Sequence, residues 1–292
     1  MKIAVAVGSG SGTKEETLGL QNASFRIVKC LKQNKIDSFI HKVNELEISV
    51  PECDAVFNLC DNDYGKKDSF ISYTSLLEKN KKPYTGNKLN CFKKTNNKLA
   101  WSSHLSVAKY LPFRTDLLNE AEFMDCKFII KHKYNHGSLS LPNKCIFNKV
   151  NDKVKSLLNT GKFYCEQFIN GPEISVAYLP GFKPMYGIKD LANEKILDFN
   201  TKWNGKIATR LLNLTHDDEQ YINNMIADIK KSFNITSYMR LDLRKDNNNF
   251  YLVDINPNCS LDEAGSFLKI LNLNNISYSA TIKNILFNDL GI

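Results

Sequence analysis

Residues 251–258 read YLVDINPN. Side chains of an extended chain alternate faces with period two, so Tyr251, Val253 and Ile255 fall on one side and Leu252, Asp254 and Asn256 on the other. One face is apolar, while the other carries an acid and an amide in a segment otherwise hydrophobic enough to be buried. The polar pair must hold something. Upstream lies a second strand-like run, MRLDLR, and between the two sits Asn247-Asn248-Asn249, residues that tolerate the left-handed backbone of a short hairpin. If those three form the loop, Asp242 lies opposite Asp254 and Arg240 opposite Asn256, all four on one face. Opposed like charges are unfavourable across a sheet unless something positive lies between them. Two carboxylates and an amide are hard oxygen ligands that suit Mg²⁺, which completes its shell with water and substrate phosphates. A blander alternative stays open at this point: Asp254 caps a turn, Asn256 starts the NPN turn, and Arg240 neutralises Asp242.

The sequence before this hairpin divides into lobes. Lys2 to Val7 reads as a buried strand, followed by GSGSGTKEE and a helix from about Glu15 to Lys35 with Leu18, Phe25, Val28 and Leu31 near helical spacing. DSFIHKV and DAVFNL follow as strands, then SFISYTSLLEKN as a helix, then PYTG. Alternating strands and helices predict a parallel sheet covered on both faces, in a first lobe of residues 1–85. The glycine loop fits neither a Walker A loop nor a dinucleotide fingerprint, because its glycines are spaced G-x-G-x-G. Any nucleotide is therefore held elsewhere, although these glycines still let an anionic group approach the backbone and the helix N-terminus.

A second lobe, residues 86–165, has helical stretches around Asn96 to Leu105 and the strands KFIIKHKY and KCIFNK, joined by NHGSLSLPN. Such a hairpin can fold backbone N–H groups over phosphates as a glycine-rich lid, or be a plain surface hairpin. A third lobe, residues 166–292, completes two strands around a Gly-Pro turn in FYCEQFINGPEISVAYL. Thr215 then caps a helix with Asp217, Asp218 and Glu219 in its first turn and Tyr221, Ile222, Met225, Ile229 and Phe233 facing inward. Two helices end the sequence after the hairpin.

Composition narrows the function classes. The 292 residues are 42% hydrophobic and 24% charged. No stretch approaches the roughly 18 consecutive apolar residues of a membrane span, and MKIAVAV runs into the glycine loop without a signal-peptide pattern, so a cytoplasmic protein with no membrane partner is expected. The net charge of +8 comes from scattered lysines without aromatic interleaving, which argues against a nucleic-acid partner. Eight cysteines without C-x-x-C or paired Cys/His spacing predict neither a zinc site nor a disulfide framework.

Taken together, these stretches resemble the ATP-grasp superfamily, in the branch around D-alanine:D-alanine ligase, over nearly the whole chain and in the right order. The resemblance implies an α/β, ATP-grasp fold of three lobes: an N-terminal parallel-sheet domain, a central lid domain and a C-terminal catalytic domain. DAVFNLCDNDYG and PYTGNKLNCFKKTNNK are similar to the family's first-lobe strand and its Y-T-G segment, implying Lys98 as a phosphate-binding lysine. FIIKHKYNHGSLSL resembles the next strand and lid, implying Lys131 for the phosphates and Gly137, Ser138 and Ser140 for the lid, Ser138 also among the catalytic residues. CEQFINGPEISV resembles the segment that grips the nucleoside. That implies Glu166 at the adenine amino group, Gln167, Phe168 and Ile169 beside the ring, and Glu173 at the ribose. LDFNTKWNG implies Lys202 at the transferred phosphate. RLDLR and VDINPN imply Arg240 as the catalytic arginine and Asp242, Asp254 and Asn256 as metal ligands. ATP and two Mg²⁺ ions, with Mn²⁺ as a substitute, are the implied cofactors.

The implied reaction is carboxylate–amine ligation through an acyl phosphate, with amino-acid or small-peptide substrates; a homodimer is compatible with it. The pattern has departures. Asp254 stands where the family has glutamate, His132 follows Lys131 in place of proline, and Trp203 follows Lys202 in place of tyrosine. NPNCSLDEAGSF lacks the run that binds the second substrate's carboxylate, with Ser260 or Ser266 as substitutes. In the first lobe Glu15 or Glu16 is placed to grip a substrate amino group, and Glu16 is carried as the candidate. Two other readings of the same fold are a non-catalytic nucleotide-binding protein and a phosphotransferase.

Overall fold

The computed structural model describes residues 1–8, 14–43, 48–60, 69–122, 125–134, 146–190, 208–247 and 249–292. The first of its sheets is parallel, with order β2-β1-β3 built from β1 (Lys2–Gly8), β2 (Asp37–Val43) and β3 (Ala55–Asn58). Helices α1 (Lys14–Gln33) and α2 (Ser69–Lys79) cover it. Ile3, Val5 and Val7 pack with Ile27 and Leu31 of α1, whereas Ala6 on the other face meets Tyr73 and Leu77 of α2. Burial on both faces is why β1 is a continuous apolar run. The expected stripe of α1 needs correction, because Leu18 and Phe25 are 57% and 64% exposed. Of that stripe Leu31 is buried and Val28 packs against the core, and Ala23, Ser24, Ile27 and Cys30 complete the buried face. Small side chains let it approach the sheet closely, and spacing of large apolar residues does not reveal them.

The helical stretch expected over Asn96 to Leu105 is broken into α3 (Leu89–Thr95), a 3-10 turn (Leu99–Ser103) and α4 (Leu105–Ala108). Asn97 causes the break, since its Oδ1 accepts from Leu99 N at 3.1 Å, a local bond that competes with the helix. Next come β4 (Arg114–Thr115), α5 (Leu118–Glu122), β5 (Phe128–His132), β6 (Ile146–Phe147), α6 (Asp152–Asn159) and β7 (Phe163–Gln167). Their sheet is antiparallel, in the order β4-β7-β5-β6. Phe128, Ile130, Phe147 and Cys165 point to α5 and α6. By alternation Lys131 and Glu166 project from the opposite face. The expected pairing of β5 with β6 forms, but the loop with Gly137, Ser138 and Ser140 lies outside the described residues.

The last sheet is antiparallel, in the order β10-β9-β8-β11-β12. It comprises β8 (Glu173–Tyr178), β9 (Met185–Asp190), β10 (Ala208–Leu211), β11 (Met239–Asp246) and β12 (Asn249–Pro257). Helix α7 (His216–Phe233) is capped as expected, Thr215 Oγ1 accepting from Asp218 N at 3.2 Å. It buries Ile222, Met225, Ile226, Ile229 and Phe233 against Ile174, Val176, Leu241, Leu243, Leu252 and Ile255. Tyr221, expected inward, is 37% exposed and meets Tyr110 edge-on instead. Helices α8 (Ser266–Leu273) and α9 (Tyr278–Leu290) close the chain. A single core runs from Ile3 and Val5 through Phe267, Leu271 and Ile282 to Ala177 and Met185, so the first lobe shares its interior with the last.

Asn87 ties the segment after β3 to that last lobe. Its Nδ2 donates to Tyr238 O at 2.9 Å, its Oδ1 accepts from Thr236 N at 2.9 Å and Ser237 N at 3.0 Å, and its backbone N donates to Asn258 Oδ1 at 2.7 Å. The preceding Gly86 has φ +92°, and a Cβ there would lie 2.3 Å from Asn258 Nδ2, so only glycine fits. Asn87→Ala strands several buried polar groups and is expected to cost about 3 kcal/mol in urea unfolding. A loss below about 1 kcal/mol would show that the tie is not structural.

The hairpin of β11 and β12 corrects the sequence reading twice, and the two corrections cancel. Its loop is shorter than three residues, since Asp246 pairs with Asn249 and Asn247 takes φ 51°. That register alone would place Val253 opposite Asp242. A β-bulge between Asp242 and Leu243 absorbs one residue of β12, however, and restores Asp242 opposite Asp254 and Arg240 opposite Asn256. The bulge also changes the phase of alternation. Phe250, Leu252 and Ile255 all join one core, so Leu252 does not share a face with Asp254 as strict alternation predicted.

Candidate active site

The polar face of the last sheet carries the expected group. Glu173 and Ser175 project from β8, Lys189 from β9, Arg240, Asp242 and Arg244 from β11, and Asp254 and Asn256 from β12. Asp242 is the centre of this face. Arg240 grips it with a fork, Nε to Oδ1 at 3.1 Å and Nη2 to Oδ2 at 2.8 Å. Ser175 Oγ donates to Oδ1 at 2.7 Å, Asn256 Nδ2 to Oδ2 at 3.2 Å, and Lys189 Nζ stands 3.3 Å from Oδ1. Burial alone would push this carboxyl up; Arg240 and then Lys189 outweigh it and hold Asp242 far below the usual carboxylate range. Arg240 is correspondingly raised, so it stays charged.

Glu173 is held by Lys189 Nζ at 2.6 Å and by Arg244 Nη2 at 3.6 Å. Burial pulls Lys189 down, but Asp242 and Glu173 more than restore it, leaving its pKa raised. Arg244 also donates to Ile169 O at 3.0 Å and lies 5.0 Å from the Phe168 ring centre, fixing the strand connection that carries both residues. Gly171 in that connection touches the hairpin directly, and a Cβ there would fall 1.6 Å from Lys245 O.

The central sheet faces this surface with a cationic group of its own. Arg114 lies opposite Glu166 in the register and binds its Oε2 through Nε at 2.7 Å, while Lys131 Nζ binds Oε1 at 2.5 Å. Both oxygens of Glu166 are thereby engaged by cations. Burial raises this carboxyl, yet Arg114 and Lys131 together bring it below its ordinary value. Lys131 is lowered, chiefly by burial, because one carboxylate serves two cations. Three further contacts reach the last sheet. Lys131 Nζ reaches the bulge carbonyl Val253 O at 3.4 Å, Arg114 Nη2 reaches Leu252 O at 3.3 Å, and Lys98 Nζ pairs with Asp254 Oδ1 at 2.9 Å.

The structure thus brings together Lys98, Lys131, Glu166, Phe168, Ile169, Glu173, Arg240, Asp242, Asp254 and Asn256. Gln167 ends β7, its backbone N donating to Phe113 O at 2.8 Å. Lys202, Gly137, Ser138 and Ser140 lie outside the described residues, and Glu16 is described only as backbone in the first turn of α1. The sequence reading missed Arg114, Ser175, Lys189 and Arg244. Each is defined by its cross-strand neighbour, and no spacing along the chain reports that.

The oxygen donors fit a divalent cation. Asp242, Asp254 and Asn256 share one face, and Lys98 already places an ammonium on Asp254, where positive charge is favoured. Among the described residues no group of three or more His, Cys, Asp or Glu side chains could hold a metal alone, so phosphate oxygens would have to complete the shell.

Residues 146–287 match the family model described as D-ala D-ala ligase C-terminus. Among solved structures, the chain is similar to the D-alanine–D-alanine ligase from Bacillus anthracis, with TM-score 0.79, 19% identity and coverage of 100% of this chain and 98% of that one. The fold is that of the D-alanine–D-alanine ligases. The same ligase solved in complex with ATP gives TM-score 0.78 at 19% identity, covering 100% of this chain and 97% of that one. D-alanyl-alanine synthetase A from Vibrio cholerae gives 0.77 at 14%, covering 100% and 99%. The ATP-grasp ligase resemblance read from the motifs therefore extends to the whole chain as a fold, and the matched family segment contains Glu166, Glu173 and the bulged hairpin. No curated protein matches the sequence. No helix among the described residues of this ligase fold is long and apolar enough to cross a membrane, and no disulfide joins its described cysteines.

Proposed function

We propose that this chain is an ATP-dependent carboxylate–amine ligase that joins amino acids or small peptides. The observation that carries the reading is the meeting of two polar sheet faces. One offers Asp242, Asp254 and Asn256 with Arg240 beside them; the other offers Arg114 and Lys131, joined by Lys98 from the head of the 3-10 turn, more cations than the two carboxylates Glu166 and Asp254 neutralise. Such a cleft attracts a polyphosphate and can neutralise charge that builds on a transferred phosphoryl group.

In this reading a substrate carboxylate oxygen attacks the γ-phosphorus of ATP, and the bond to the β-phosphate oxygen breaks to release ADP. An amine then attacks the acyl carbon, loses a proton, and expels phosphate. Lys98, Lys131 and Lys202 hold the phosphates, and Gly137, Ser138 and Ser140 close over them to exclude water. Glu166 to Ile169 receive the base and Glu173 the ribose. Asp242, Asp254 and Asn256 would hold Mg²⁺, which supplies charge neutralisation at the phosphates. Arg240 stabilises the tetrahedral oxyanion; its Nη1 meets no acceptor among the described residues while Nε and Nη2 grip Asp242. Glu16 is the candidate for a substrate amino group.

Purified protein incubated with ATP, Mg²⁺ and pairs of amino acids should release ADP and phosphate only when both partners are present, with a condensed product by mass. ADP release that needs no amine would replace ligation by phosphoryl transfer. Absence of ADP release with every pair, in protein that is folded, would remove the catalytic reading.

A further inference from the structure

Lys189 belongs to none of the motifs that point to ATP, yet its ammonium reaches the middle of the polar face. It lies directly across from Glu173 in the β8–β9 register, and Asp242 lies across from Ser175 on the other side of β8. From β9 its ammonium therefore spans β8, reaching Glu173 Oε1 at 2.6 Å and Asp242 Oδ1 at 3.3 Å. An ammonium buried this deeply needs both carboxylates as partners. Each carboxylate has a second anchor. Asp242 keeps the Arg240 fork and Ser175, whereas among the described residues Glu173 has only Arg244 at 3.6 Å.

We propose that Lys189 is a positioning residue: it aims Glu173 at the nucleotide sugar and, through its charge beside Asp242, sets how readily the neighbouring oxygens accept a divalent cation. The inference rests on the ATP reading above. Glu173 depends on Lys189 for orientation and Asp242 does not, so loss of the ammonium should act oppositely at the two ends. Sugar discrimination should weaken, because a carboxylate anchored only by a longer contact samples other rotamers. Cation binding should become easier, because Arg240 and Ser175 still orient Asp242 while a competing positive charge has gone.

The test is nucleotide binding by calorimetry on the full chain, comparing ATP with 2′-deoxy-ATP at saturating Mg²⁺, followed by Mg²⁺ titration at fixed ATP. In Lys189→Met the preference for ATP over 2′-deoxy-ATP should shrink by roughly fivefold, the scale of one ordinary net hydrogen bond, and the half-saturating Mg²⁺ should fall. Lys189→Arg keeps the charge and should recover most of the ATP preference. A merely structural lysine would weaken both nucleotides equally and leave the ratio intact. An unchanged ratio, or a half-saturating Mg²⁺ that stays or rises, overturns the assignment. Failure of the unaltered protein to bind either nucleotide would instead overturn the ATP reading, and this inference with it.

Discussion

Arg240→Ala is expected to lower turnover by about two orders of magnitude while ATP still binds. The guanidinium is charged at any working pH and projects from β11 beside Asp242, opposite Asn256. Removing a fixed donor at a developing oxyanion typically costs about 3 kcal/mol of barrier. The lysines proposed to hold the phosphates do not depend on it, since Lys98 and Lys131 are anchored by Asp254 and Glu166. The fork on Asp242 adds a second consequence. Without Arg240, Asp242 retains Ser175, Asn256 and Lys189, so its charge stays partnered and the fold should survive. Arg240→Lys restores a charge but not the fork, and should recover only part of the rate. Turnover and nucleotide affinity measured on the same preparation decide the matter. Unchanged turnover would take Arg240 out of the reaction, and an equal loss of ATP affinity would make it a binding residue.

The second large effect falls on stability. Glu166→Gln is expected to destabilise the protein by about 3–5 kcal/mol, because it leaves Arg114 and Lys131 sharing a buried site without a counter-charge. Urea unfolding at neutral pH should show a lower midpoint, and Lys131→Met added to Glu166→Gln should recover part of the loss, since each change costs less once the other is made. The pH dependence follows from the same pair. Glu166 and Asp242 titrate below their unfolded values, so their stabilisation is present above the unfolded carboxylate range of about pH 4 and is lost as the pH falls below it. Acid unfolding of Glu166→Gln should accordingly be shallower. A variant as stable as the unaltered protein would show that Arg114 and Lys131 do not need this carboxylate.

Much of the fold is legible because it is local. The parallel first sheet follows from apolar runs alternating with helical spacing, and the cap at Thr215 from a hydroxyl ahead of an acidic turn. Helix faces are less legible. Leu18, Phe25 and Tyr221 have the right spacing for burial yet are exposed, whereas Leu31, Ile222, Met225, Ile229 and Phe233 are buried as expected, beside Ala23, Ser24 and Ile226. A choice between stripes of similar hydrophobicity is made by the partner surface.

The hairpin at residues 239–257 marks the same division. Sequence by itself determined that Arg240, Asp242, Asp254 and Asn256 lie on two strands joined by a short Asn-rich turn. Only the tertiary structure decided how they are brought together, since loop length and bulge cancel and neither leaves a mark in the pattern. It alone also decided the counter-charges: Arg114, Lys189 and Arg244 are matched to Glu166, Glu173 and Asp242 across strands remote in sequence. The energy of a buried charge is set by whichever group the fold brings within about 4 Å, and that distance does not exist until the sheets form.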